Sequence, residues 1–129
     1  MSKKIILALK IIASIILIQT LFFKFPGAEQ SIELFTKIAG KNEAFMRIGT
    51  GILELIAVIL LFLPKKGWLG GLLITGLMFG AIMSHITILG IEHNNDSGVL
   101  FLSACFTFLV GIIILWNKRK DIPIFGKNF

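Results

Sequence analysis

Arg47 and Glu54 stand seven residues apart inside an apolar run, Ala44–Leu63. Seven residues are nearly two helical turns, so both side chains fall on one face, about 10 Å apart along the axis. Thr50, three residues after Arg47, shares that face. Other polar groups mark two further apolar runs. Gln19 and Lys24 close the first, and His85 lies toward the end of the third. Lysine and arginine donate to carbonyl or anionic oxygens, imidazole can donate or accept, and a carboxyl group can take up or release a proton. Together these residues could hold a small polar headgroup and handle a proton beside it.

The elements that must position them follow from composition. The chain has 129 residues, 56% of them hydrophobic, against roughly 45–50% in soluble domains. Its mean hydropathy is +0.92. A chain this short cannot hide so much apolar surface from water. Four apolar runs predict helices over residues 5–23, 44–63, 68–91 and 98–116, each near the roughly 20 residues that a membrane span requires. The runs are continuous rather than alternating, which excludes a membrane β-barrel. The expected fold class is an all-α integral membrane protein, a single transmembrane domain over residues 1–129 built as a four-helix bundle.

Lys3 and Lys4 precede the first run as they would in a secretory signal. The run ends in bulky Leu21-Phe22-Phe23-Lys24 with no small-residue cleavage site, so it is read as a retained helix. Within the first long loop, Ile32, Phe35 and Ile38/Ala39 fall on one side of a short amphipathic helix over 29–39. Gly40 supplies its stop, and the helix would cap the bundle or anchor at its surface.

Lys3, Lys4, Lys65, Lys66, Lys118, Arg119, Lys120 and Lys127 occupy the N-terminus, the second loop and the C-terminal tail. Four spans put those segments on one side, and positive loops mark the cytoplasmic face. Both termini are therefore expected in the cytoplasm. The net charge of +6 reflects topology and contact with anionic membrane lipids rather than nucleic acid.

In that frame Gln19, Lys24, Arg47 and His85 belong to the outer third and Glu54 lies near the midplane. A polar pocket between the first three spans, open to the outside, would shelter Glu54. Facing lipid there, a charge costs roughly 2.5–3.5 kcal/mol. Structural roles are also open: Arg47 can snorkel to headgroups, His85 can be a core histidine, and Gln19 can join two helices. Lys10 can snorkel toward the other face. Gly76, Gly80 and Ser84 form a small-residue line suited to helix packing within or between chains.

Little else points to chemistry, and no catalytic residue is assigned. His85, Glu92, His93 and Asp96 cluster in sequence without a recognised ligand spacing, so no metal is assigned. A bis-histidine haem would need a second histidine inside a span. Cys105, the single cysteine, excludes an intramolecular disulfide. No nucleotide-binding glycine motif or serine–histidine–acid arrangement occurs.

The segments Phe23-Lys24-Phe25, Arg47-Ile48-Gly49-Thr50-Gly51-Ile52-Leu53-Glu54-Leu55 and Met78-Phe79-Gly80-Ala81-Ile82-Met83-Ser84-His85 resemble the DoxX-like family of small bacterial membrane proteins, over nearly the whole chain. That resemblance implies a four-helix bundle in the bacterial inner membrane, with polar residues at Lys24, Arg47, Glu54 and His85. It further implies an accessory or quinone-contacting subunit of a larger membrane redox complex, with a quinone as ligand and no redox metal of its own. The alternatives are a structural or assembly partner of another membrane protein, acting as a homo-oligomer or in a complex, and a small proton-coupled transporter.

Overall fold

The computed structural model describes residues 2–90, 98–123 and 126, and no strand occurs among them. Ser2 opens the first helix, its hydroxyl accepting from the Ile5 amide at 3.2 Å, which satisfies one of the free amides of the first turn. Helix α1 covers Lys3–Lys24 and ends ahead of Pro26 and Gly27, whose φ of +74° turns the chain. Helix α2 covers Glu29–Ala39 and stops at Gly40 (φ +60°). A 3₁₀ turn, Gly40–Asn42, leads into α3, Glu43–Phe62, which ends before Pro64. Helix α4 covers Gly67–Ser84, widens into a π-helical turn at His85–Leu89 and closes at Gly90 (φ +80°). Helix α5 covers Val99–Asn117, and a 3₁₀ turn follows at Arg119–Asp121. Ile91, expected at the end of the third span, lies outside the described residues.

Four stretches are long and apolar enough to cross a membrane: Lys3–Lys24, Glu29–Phe62, Gly67–Leu89 and Val99–Asn117. They pack as an up-and-down bundle in which α3 neighbours α1 and α4, α4 neighbours α5, and α5 closes back on α1. Ala13, Leu17, Ala57, Leu61, Ile74, Val110 and Ile114 fill the centre. The outer surface is just as apolar. Ile15, Phe22, Ile59, Phe79, Leu102 and Leu109 all stand exposed on it. Helix α2 packs against α3, α1 and the π-helical turn, at the end of the bundle where α1 finishes and α3 begins.

The close approach of α4 to its neighbours does not use the expected line. A Cβ at Gly76 or Gly80 would meet nothing within 4 Å, and Ser84 bonds back to the Gly80 carbonyl at 2.8 Å. The seam lies at Gly70, Gly71 and Gly111 instead. A Cβ on Gly70 would sit 2.8 Å from the Leu61 amide nitrogen and 2.9 Å from the Ala57 oxygen, both on α3. One on Gly71 would sit 2.8 Å from the Leu115 nitrogen and 3.0 Å from the Gly111 oxygen, both on α5. Successive residues on a helix point about 100° apart. Adjacent glycines therefore let α4 press its backbone against two neighbours at one level, which glycines four residues apart cannot do.

Candidate functional site

The polar site forms where the last two turns of α1 meet the first three turns of antiparallel α3. Thr20 and Lys24, four residues apart, share one face of α1. On α3, Arg47, Gly51 and Glu54 share the facing side, and all three are buried. The Lys24 ammonium reaches Glu54 Oε1 at 2.5 Å and Thr20 Oγ1 at 3.1 Å. Thr20 donates its own proton to the Leu17 carbonyl at 2.7 Å, which leaves its oxygen lone pairs for the ammonium. Glu54 is 1% exposed, and the Lys24 side chain 14%.

Arg47 lies above this pair. Its Nε donates to Glu43 Oε2 at 3.0 Å, and its Nη1 donates to the Lys24 carbonyl. That carbonyl belongs to the last turn of α1, where helical acceptors lack a partner in their own helix. Arg47 thus joins the end of α1 to the start of α3. Two glycines make room. A Cβ at Gly51 would stand 2.8 Å from the ring of Phe25, so the missing side chain seats that ring against α3. Gly27 turns the chain beside the Arg47 guanidinium. The result is two opposite charge pairs, Lys24–Glu54 and Arg47–Glu43, linked through one backbone carbonyl.

The expected residues divide accordingly. Lys24, Arg47 and Glu54 come together. Gln19 does not join them: it is exposed on α1, one residue and about 100° round the helix from Thr20, which takes its place. Arg47 is bonded to Glu43 and α1 rather than to Glu54, because Lys24 occupies the gap of nearly two turns between them. Thr50 is half-buried on α3 and takes no part in the bonds above. His85 is buried at 3% exposure. Its Nδ1 lies 2.9 Å from the Gly90 carbonyl and its ring packs edge-on to Phe101 of α5, 5.6 Å between centroids. Its described partners are therefore its own turn and α5, not the ion pair.

Thr20 and Glu43 are site residues that the sequence reading passed over. Both stand four residues from a cation, at the spacing that brings side chains together on a helix. Glu92, His93 and Asp96 lie outside the described residues, among which no three His, Cys, Asp or Glu side chains are grouped to hold a metal. Cys105 is half-buried on α5.

The arrangement supplies donors. An ammonium has three N–H groups, of which Thr20 and Glu54 take two. A guanidinium has five, of which Glu43 and the Lys24 carbonyl take two. An incoming carbonyl or anionic oxygen could be received on the rest, with the Glu54 carboxylate beside it. The chain matches no family model, no curated protein and no solved structure.

Proposed function

We propose that this chain is a multi-pass inner-membrane protein of DoxX-like type with both termini cytoplasmic, and that it binds a small quinone-type headgroup at the Lys24–Glu54 site as an accessory subunit of a membrane redox system. Membrane embedding is supported by the four apolar helices and by the apolar side chains that cover the outside of the bundle. In lipid those side chains have no reason to be buried. The basic ends of α1, α3 and α5 fit a cytoplasmic face, and α2 would then lie at the outer surface.

The observation that carries the binding reading is Glu54, 1% exposed and bonded to Lys24 between two helices of mostly apolar residues. A buried ion pair is a poor stabiliser, since apolar residues of similar volume often serve the fold as well or better. Charges kept inside a span therefore point to function. Lys24 and Arg47 would donate to the quinone oxygens, and Glu54 would accept or release a proton beside them.

The test is titration of the purified full chain with a short-chain benzoquinone. The wild type should bind at one site. The Lys24→Met/Glu54→Leu double variant should keep its helical content and lose about tenfold or more in affinity. Equal binding by the folded double variant overturns the reading.

A second reading is favoured by one observation. The open surface at Gly76 and Gly80 fits a helix of another molecule, which makes the chain an assembly partner. It requires that a bulky residue at Gly80 abolish association.

A further inference from the structure

At the end of the bundle opposite the ion pair, α5 closes with Trp116 and Asn117, and the chain turns at once into Arg119–Asp121. The Arg119 guanidinium is held in place. Its carbon lies 4.1 Å from the centre of the Trp116 ring, and Nη1 donates to the Trp116 carbonyl at 2.7 Å. Two shallow apolar grooves leave this one position. The first runs along α5 past Ile112 and Ile113. The second runs between α4 and α5, past Trp68, Leu72 and Leu115. Trp116 and Arg119 border both.

The charge at this end is almost all positive. Lys3, Lys4, Lys10, Lys65, Lys66, Lys118 and Lys120 belong to it, and Asp121 is the only acid. Among the described residues no carboxylate pairs with Arg119. A guanidinium is weakly hydrated and presents its N–H groups in a planar fork that fits two phosphate oxygens. A tryptophan beside it suits the boundary between headgroup and hydrocarbon. One cation flanked by two apolar channels has the shape of a phospholipid, a phosphate with two chains.

We propose that Trp116 and Arg119 form the headgroup seat for one anionic diacyl phospholipid, its phosphate on the Arg119 guanidinium and one acyl chain in each groove. The surrounding lysines select an anionic over a zwitterionic headgroup, because the ammonium of a zwitterionic headgroup would meet mainly like charge. The inference rests on the membrane-embedded reading and is independent of what binds at Lys24 and Glu54.

Native mass spectrometry tests it on the full chain, released from detergent with equal amounts of phosphatidylglycerol and phosphatidylcholine. One phosphatidylglycerol per chain should stay bound. Arg119→Gln should lower its retention about tenfold, whereas Lys120→Gln, with the same loss of charge, should lower it less than about twofold. Leu72→Trp keeps every charge and fills one groove, and it should also weaken retention. Millimolar glycerol phosphate should not displace the lipid. Equal loss in the two charge variants, equal retention of phosphatidylcholine, or displacement by glycerol phosphate each overturns the proposal. A chain that stays dissolved without detergent and ignores vesicles would overturn the membrane reading itself. A chain that enters vesicles but shows no lipid preference sinks this inference alone.

Discussion

The glycine seam at Gly70, Gly71 and Gly111 and the ion-paired site at Lys24 and Glu54 bring helices together by opposite means. In the seam side chains are removed. Backbone atoms of α3, α4 and α5 come so near that a single Cβ would intrude to within 3.1 Å of main-chain nitrogen or oxygen. At the site side chains are inserted, and four charged groups with a threonine bridge α1 and α3. The seam has one solution, glycine, and its purpose is met once the helices touch. The site has many solutions as far as packing is concerned, since an apolar pair could fill the same space. Its charges therefore report on something besides the fold, whereas the seam reports on the fold alone.

The largest effect should come from splitting the charges. Lys24→Met leaves Glu54 buried with no ammonium, and breaking a buried pair costs about 3–5 kcal/mol. Glu54→Leu should cost less, because Lys24 is nearer the end of its helix and more exposed and can swing out to solvent. The double variant should recover to within about 1 kcal/mol of the wild type. Reversible unfolding in detergent, followed by circular dichroism, gives all three values. If the double variant is as unstable as Lys24→Met, the pair is structural and the contrast with the seam disappears.

The seam should respond next. Gly70→Ala places a methyl group against the backbone of Leu61 and Ala57, which cannot rotate aside. Overpacking of this kind costs about 1–3 kcal/mol. Gly51→Ala is the control that separates backbone from side-chain contact. Its methyl would meet the Phe25 ring, exposed and free to swing, so the cost should stay below that of Gly70→Ala. Equal costs would mean that the end of α1 is as rigid as the seam, and that Phe25 helps to fix Lys24.

How far the sequence foretells this contrast differs between the two regions. The four long helices are plain in hydropathy, because continuous apolar runs of about 20 residues have few other uses. Helix α2 is plain in its 3.6-residue spacing, since only one of its faces is apolar. What hydropathy cannot supply is rotation. Gln19 and Thr20 are both polar and adjacent, and only the angle at which α1 meets α3 decides that Thr20 faces Lys24 and Glu54. The same holds on α4, which is apolar all round. Gly76, Gly80 and Ser84 have the spacing of a packing line, yet that line faces outward. Gly70 and Gly71 fall inside the expected helix over 68–91, and nothing in their spacing marks them as the contact. The i,i+4 pairs Thr20/Lys24 and Glu43/Arg47 went unread although their spacing offers them, since their geometry is set within one helix and needs no neighbour.

The smallest effect belongs to the outward glycines. Gly76→Ala and Gly80→Ala add a methyl group where nothing lies within 4 Å. Isolated chains should become more stable by no more than about 0.5–1 kcal/mol, the gain of alanine over glycine inside a helix. The comparison is sharpest when Gly70→Ala and Gly80→Ala are measured side by side, since the two methyl groups are chemically alike and differ only in what they would touch. Analytical ultracentrifugation of Gly80→Leu in detergent then separates the remaining readings of this face. A self-associating wild type that becomes monomeric on this substitution makes the face a contact between copies. An unchanged sedimentation profile leaves the glycines as outward-facing positions that contribute nothing to close packing, and assigns the close-packing role within the chain to the seam.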